Sequence, residues 1–230
     1  MDDNLTRIYN ELTRQYSIIA RPILDGLFDN SVEVERPKVL FPPNEGASFD
    51  AQVAESGFLQ RNCAVISAYR QRNPDNTRRY KKDNIASSQR LEEDLNAEGL
   101  SYFLLDGCFR EKAEKKASHE TSFFVYDDGE HHGKEFFVSL YKLSEKYNQD
   151  SFLYKSAGMN RFAFLVSTND DTRKDDGDIV PAGKLYINLP PIGPYSDLQK
   201  GKKGRFTFRI DPPTEEELEY SRSFYQRDLE

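Results

Sequence analysis

The chain has 230 residues, which suits one domain with extensions. Its 32 basic and 39 acidic residues give a net charge of -7, which disfavours a general coating of nucleic acid but permits a local basic patch. No apolar run approaches the roughly 20 residues of a transmembrane helix. Two cysteines, Cys63 and Cys108, are too few for a disulfide framework and lack metal-ligand spacing. We therefore expect a cytoplasmic protein with buried thiols and no membrane contact.

The N-terminal segment, residues 1–60, is predicted to be one helix followed by an extended arm. Apolar residues recur at three- and four-residue steps from Leu5 to Ile19, which predicts a helix over residues 4–20, and Pro22 ends it. We expect this helix to pack on the domain body; the alternative is an oligomerisation helix. Within the arm, residues 38–41 are a candidate edge strand and residues 49–59 a candidate short helix.

The central segment, residues 61–168, alternates apolar runs of strand length with amphipathic stretches. Asp83 is the predicted N-cap of the first helix in this segment, and Gly99 is its predicted end. The second helix has an apolar face that runs from Phe136 to Tyr147. The predicted strands are Cys63–Tyr69, Leu100–Leu105, Thr121–Tyr126, Ser151–Lys155 and Arg161–Ser167, and the predicted loops include Arg70–Lys82 and Asp106–His119.

This order of elements predicts an α+β fold, a ferredoxin-like split βαβ antiparallel sheet with helices on one face. Right-handed crossovers make the first two strands parallel, and likewise the third and fourth. Several polar segments that are far apart in sequence then meet at one edge of the sheet. These segments are Ser67–Lys82, Asn84–Gln89, Asp106–His119, Glu120–Ser122 and Asn148–Ser151.

The C-terminal segment, residues 169–230, is predicted to pack on the central domain. Residues 169–178 are rich in charge and predict a solvated loop. Lys184–Leu189 and Arg205–Ile210 alternate polar and apolar residues as half-buried strands do, and a Pro-rich stretch between them predicts an extended arm or extra hairpin added to the sheet. Residues 214–229 are the predicted final helix, with Thr214 and Glu217 forming a capping box.

Short motifs of the central segment resemble a small family of bacterial and phage proteins known as a domain of unknown function. The matching residues are Ile66–Arg70, Asn84, Arg90-Leu91-Glu92, Leu95, Gly99, Glu120, Ser122-Phe123, Gln149-Asp150-Ser151 and Tyr154. The resemblance covers roughly residues 62–167, and this chain departs from it by a longer, more basic loop at Arg70–Lys82. It implies a domain boundary and no established activity. Its polar positions fall on the edge that the topology selects.

The basic loop carries six cations with Tyr69 and Tyr80 interleaved, and we expect it to bind phosphate while the tyrosines stack on bases. The leading hypothesis is a non-enzymatic protein that binds single-stranded nucleic acid or a nucleotide, with no cofactor and no metal. The predicted ligand-binding residues are Ser67, Tyr69, Arg70, Arg78, Arg79, Tyr80, Lys81, Lys82, Asn84, Glu120, Ser122 and Gln149.

Two further hypotheses stay open. The first is a metal-assisted enzyme on nucleotides or nucleic acid that uses Glu120 and Asp106, two carboxylates at strand ends. Against it, His119, His131 and His132 match no metal-ligand spacing, and Glu120 is expected instead to cap a helix or pair with an arginine. The second is a phage or mobile-element assembly protein that binds a protein partner through its terminal helices and the arm at Pro181–Pro194. The sequence leaves catalysis and oligomeric state undecided.

Overall fold

The computed structural model describes residues 3–15, 61–70, 72–73, 77–109, 118–128, 133–159, 162–169, 178–187, 195–198, 205–209 and 214–216. Within these ranges it contains three α-helices, one 3-10 turn at Ala157–Met159 and eight strands. The helices are α1 (Asp3–Gln15), α2 (Lys81–Ala97) and α3 (Gly133–Lys146). The strands are β1 (Cys63–Ser67), β2 (Ser101–Phe109), β3 (Ser118–Tyr126), β4 (Ser151–Lys155), β5 (Phe162–Ser167), β6 (Ile179–Ile187), β7 (Tyr195–Leu198) and β8 (Arg205–Arg209).

The first four strands have the predicted split βαβ arrangement. β1 lies between β3 and β4 and is antiparallel to both, with Cys63 opposite Tyr126 on one side and Lys155 on the other. β2 pairs antiparallel with β3 along its whole length. The resulting order β4-β1-β3-β2 requires two crossovers, which α2 and α3 supply. The α+β, ferredoxin-like prediction is therefore confirmed.

The remaining strands extend this sheet until it closes on itself. β5 pairs with β4, β6 with β5, and β8 with both β6 and β7. β7 then pairs with β2, where Leu105 lies opposite Leu198, so that the described strands form one closed barrel. The predicted C-terminal addition to the sheet is present, and β7 is the part of it that alternation did not reveal.

One continuous core joins the helices to one face of the sheet. Ile8 of α1 and Phe137 of α3 are fully buried, and the Phe137 ring contacts Tyr154 of β4 edge to face at 5.1 Å between ring centroids. The Tyr9 ring lies 5.4 Å from the same phenylalanine. α1 thus packs on the domain body, and aromatic side chains fill much of this interface.

Several predicted boundaries are wrong, because backbone hydrogen bonding continues past the residues that show a pattern. β6 begins at Ile179, ahead of the predicted strand Lys184–Leu189, and includes Pro181 of the predicted arm. β2 runs on to Phe109 and β3 starts at Ser118, inside the predicted loop Asp106–His119, since the ladder extends through Gly107 opposite Glu120. α2 begins at Lys81, because the Tyr80 carbonyl already accepts hydrogen bonds from the N–H groups of Asp83 and Asn84. Asp83 is therefore in the first turn and is not the N-cap.

Several predictions concern residues outside the described ranges: the candidate strand at residues 38–41, the helix at residues 49–59 and the final helix beyond residue 216. Cys63 is buried as predicted, whereas the side chain of Cys108 is not described. Across the described part of the chain, no helix is long and apolar enough to cross a membrane.

Candidate functional site

A cleft of about 240 Å³ lies between α2 and the β2–β3 pair. Its floor is apolar, formed by Leu104 of β2 and Phe123 of β3, and the Ile85 side chain of α2 stands half exposed above it. An exposed isoleucine beside an apolar floor leaves hydrophobic surface open to a ligand. The complete lining is Tyr69, Lys81, Asn84, Ile85, Ser88, Gln89, Glu92, Leu104, Glu120, Thr121 and Phe123.

Glu92, Glu120 and Lys81 are among the residues that line this cleft. Glu92 is held in place because the Tyr102 hydroxyl donates a hydrogen bond to its Oε1 at 3.0 Å. Burial, opposed by a hydrogen bond from Asn96, raises the pKa of Tyr102, so that hydroxyl stays protonated and able to donate. Glu120 lies on β3, and Lys81 opens α2. The α2 side of the cleft can therefore offer the Glu92 carboxylate to a cationic group and the Lys81 ammonium group to a carboxylate.

The turn after β1 places Tyr69 at the cleft. The Asn84 side chain binds both backbone polar groups of Arg70, the residue after Tyr69. Its Oδ1 accepts from the Arg70 N–H at 3.0 Å, and its Nδ2 donates to the Arg70 carbonyl at 2.8 Å. The Tyr69 N–H donates to Ser67 Oγ at 3.0 Å. Asn84 is only 3% exposed, so these bonds form away from bulk water.

The end of α3 contacts this same turn, as the topology predicted. Gln149 Nε2 donates to the Tyr69 carbonyl at 3.3 Å, and the Arg70 guanidinium forms an ion pair with Asp150 at 2.9 Å. Arg70 is thus paired with Asp150, a carboxylate that the sequence did not single out as its partner. Residues separated by about eighty positions meet at one edge of the sheet.

The predicted ligand-binding residues divide into three groups. Four line the cleft: Tyr69, Lys81, Asn84 and Glu120. Four lie at the sheet edge and do not line the cleft: Ser67, Arg70, Ser122 and Gln149. Ser122 and Gln149 were expected to form its floor, but Ser122 pairs with Ser67 across β1 and β3, and Gln149 contacts the backbone of Tyr69. Four belong to the basic loop or the first turn of α2: Arg78, Arg79, Tyr80 and Lys82.

The basic loop folds back on itself at an isolated bridge between Arg72 and Arg78. Arg79 then turns towards α2 and donates a hydrogen bond to Ser87 Oγ, while Tyr80 remains 66% exposed. None of Arg78, Arg79, Tyr80 and Lys82 lines the cleft. A role for these four side chains in binding a ligand stays a prediction.

The two carboxylates of the metal-assisted hypothesis lie on adjacent rows of the β2–β3 ladder. Asp106 is opposite Thr121, and Gly107 is opposite Glu120. A Cβ added at Gly107 would lie 3.4 Å from Glu120 Cγ, which places Glu120 on the face of Gly107 and leaves Asp106 on the other. Among the described side chains, no three His, Cys, Asp or Glu residues group closely enough to hold a metal ion. His131, His132 and the His119 imidazole lie outside that set.

Sequence reasoning missed the helix wall and the floor of the cleft. Ile85, Ser88 and Glu92 follow three- and four-residue steps along α2, which is the spacing of one helix face, and that spacing could have identified the wall. Leu104 and Phe123 look like ordinary core residues in the sequence, since both belong to apolar strands.

A second cavity, about 230 Å³ between α2 and α3, is lined by both residues of the Lys146–Asp94 ion pair, whose charged atoms lie 2.7 Å apart.

The comparisons with known proteins give this cleft a context. No curated protein matches the chain. The sequence profile of the S-adenosylmethionine lyase family matches residues 64–209, which is more than half of the chain. The match overturns the resemblance to a domain of unknown function and the leading hypothesis of a non-enzymatic nucleic-acid-binding protein. Of the hypotheses left open, the metal-assisted enzyme on nucleotides or nucleic acid is closer to this family. The chain belongs to the S-adenosylmethionine lyase family.

Proposed function

We propose that this protein is an enzyme that cleaves S-adenosylmethionine by a lyase reaction in the cleft between α2 and the β2–β3 pair. The family match is the observation that carries the proposal. Its range, residues 64–209, includes every residue of the cleft lining.

The lining complements the chemistry of the substrate. S-adenosylmethionine carries a sulfonium and an ammonium cation, one carboxylate and an aromatic adenine ring. The Glu92 carboxylate suits a cation, and the Lys81 ammonium group suits the substrate carboxylate. Leu104, Phe123 and the half-exposed Ile85 offer apolar surface to the adenine. The net charge of -7 favours the approach of a cationic substrate.

An apolar floor also favours the bond-breaking step. In a lyase reaction a carbon–sulfur bond breaks, both bonding electrons stay on sulfur, and the sulfonium becomes a neutral thioether. The carbon receives its new electron pair from within the substrate, without attack by water. Positive charge on sulfur disappears as the bond breaks, so a site with little water stabilises the transition state relative to the charged ground state.

The direct test is to incubate the purified protein with S-adenosylmethionine and follow the substrate and its thioether product by liquid chromatography and mass spectrometry. We expect catalytic turnover. In water enriched in ¹⁸O, the carbon that leaves sulfur should acquire no label, which separates a lyase from a hydrolase. Failure of the purified protein to consume the substrate, or ¹⁸O at that carbon, would contradict the proposal.

Charge-neutralising variants locate the reaction in the cleft. Glu92→Gln and Lys81→Met should each lower kcat/KM by about 10- to 100-fold, since a hydrogen bond to a charged group contributes about 1.5–3 kcal/mol. Glu93→Gln is the matched control, because Glu93 is exposed on the same helix and does not line the cleft. Equal losses from all three variants would place the reaction elsewhere.

A further inference from the structure

Side chains bind all four backbone polar groups of Tyr69 and Arg70, two residues of the turn that follows β1. Ser67 Oγ accepts from the Tyr69 N–H, and Gln149 Nε2 donates to the Tyr69 carbonyl. Asn84 satisfies both the N–H and the carbonyl of Arg70. A turn held at four backbone atoms by three separate side chains has little freedom to change its dihedral angles.

Gln149 is itself fixed by the way α3 ends. Asn148 adopts φ 51°, and the chain closes a Schellman motif in which the Gln149 N–H donates to the Ser144 carbonyl at 2.9 Å. The Gln149 carbonyl accepts from Thr168 Oγ1 at 2.5 Å, and the side chain is 9% exposed. Gln149 does not line the cleft, yet its amide bridges the Tyr69 and Tyr147 carbonyls at 3.3 Å each.

We propose that Gln149, together with Asn84, is a positioning residue for S-adenosylmethionine cleavage: Gln149 holds the backbone of Tyr69 and Asn84 that of Arg70, so that the Tyr69 side chain lies ready at the cleft. The inference rests on the proposed function. Tyr69 is the aromatic side chain that this turn presents to the cleft, and a preorganised contact loses less entropy when substrate binds. Truncation of Gln149 should therefore reduce catalysis through Tyr69 and not through general stability.

A double-mutant cycle tests this coupling. Gln149→Met keeps the length of the side chain and removes both hydrogen bonds; it should lower kcat/KM about 10-fold in the natural background and less than about 2-fold in a Tyr69→Ala background. The proposal would be overturned if Gln149→Met lowered kcat/KM by the same factor in both backgrounds. Because Asn84 is deeply buried, Asn84→Asp is a second variant, which keeps the acceptor for the Arg70 N–H and loses the donor.

A spectroscopic readout separates failure of the inference from failure of the proposed function. The chain contains no tryptophan, so Tyr69→Trp introduces a single tryptophan at the cleft, whose fluorescence can be excited at wavelengths where tyrosine does not absorb. Adding Gln149→Met should shorten the anisotropy decay of that tryptophan, with or without substrate. Gln15→Met on α1, an element outside the cleft, is the control and should leave the decay unchanged. Unchanged decay in the Gln149→Met protein overturns the inference even if S-adenosylmethionine is cleaved; a shortened decay supports the positioning role even if it is not.

Discussion

At the scale of single residues, the least expected feature is a fully buried lysine. Lys155 of β4 lies directly opposite Cys63 of β1. Its Nζ donates to the carbonyls of Arg61 and Ser156 at 3.1 Å each. Burial lowers the pKa of Lys155 and raises the pKa of the Cys63 thiol to about 12. Cys63 is therefore a protonated thiol at neutral pH and a poor nucleophile, in agreement with the expectation of a buried, inert cysteine.

The lysine makes stability depend on alkaline pH. Its pKa in the folded state lies below the ordinary value of 10.5. At pH values between the folded-state pKa and 10.5, the unfolded chain binds more protons than the folded chain, so the free energy of unfolding rises with pH. Lys155→Met removes that rise. We expect the free energy of unfolding of the natural protein, minus that of the variant, to increase towards pH 10.5 with a slope of up to about 1.4 kcal/mol per pH unit. Urea unfolding at a series of pH values measures it.

Other titrating groups are common to both proteins and cancel in this difference. Burial raises the pKa of Tyr9 and of Tyr154, and both tyrosines are present in the natural protein and in the variant. Lys142→Met, at an exposed position on α3, serves as the control and should show a flat difference. A difference for Lys155→Met that is equally flat would mean that Lys155 is charged in the folded state.

Individual site residues were predictable to the extent that they stand in polar segments. Tyr69 and Lys81 belong to or border a predicted loop that is rich in basic residues, and Glu120 directly precedes a predicted strand. Leu104 and Phe123 carry no such signal, because a strand residue that packs against a helix and a strand residue that forms the floor of a cleft are both apolar. Only the gap left between α2 and the sheet distinguishes them, and that gap is a property of packing.

At the scale of elements, α1 is a packing helix for which sequence periodicity gave the correct face. Ile8 and Leu12 are fully buried, and Arg7 reaches Asp178 at 2.8 Å on the outer side. Ile8→Ala should lower the free energy of unfolding by about 2–4 kcal/mol through lost burial and the cavity that remains. Equilibrium urea unfolding followed by circular dichroism provides the measurement.

Thr13→Ala on the same helix is the matched control. Thr13 is exposed, and alanine is the better helix former, so the change should stay within about 0.5 kcal/mol. A small loss from Ile8→Ala, accompanied by a concentration-dependent midpoint, would instead favour the alternative of an oligomerisation helix. Size-exclusion chromatography at two protein concentrations separates the two results.

Element ends were predictable where local chemistry sets them. Gly99 has φ 68°, and the Leu100 N–H donates to the Leu95 carbonyl at 2.9 Å, so α2 ends in a Schellman motif at the predicted glycine. The start of α2 was not predictable from Asp83, because Tyr80 occupies the cap position without a side-chain hydrogen bond. The length of β2 depends on pairing with β3 and β7, which no local pattern encodes.

At the scale of the whole molecule, closure of the sheet depends on β7 and β8, two short strands far along the chain. β7 pairs with β2 at Leu105–Cys108, and the same part of β2 lies opposite Glu120 of β3. Closure therefore adds backbone pairing directly beside the cleft. The sequence of β7, four residues next to a Pro-rich stretch, contains too little alternation to reveal this pairing. The family match ends at residue 209, the last residue of β8, so the matched region includes the closing strands.

A substitution in β8 shows whether closure of the sheet supports the cleft. Thr207 is buried in the centre of β8, a strand that pairs on both sides. Thr207→Pro removes a backbone donor from the closing strand and should lower the free energy of unfolding by about 3 kcal/mol or more, together with S-adenosylmethionine cleavage. Thr207→Val keeps the branched shape and loses a single hydrogen bond to the Tyr186 carbonyl at 3.4 Å. It should therefore retain both the stability and the cleavage activity of the natural protein. Cleavage at the natural rate by a folded Thr207→Pro protein would show that the β1–β4 half alone builds the cleft.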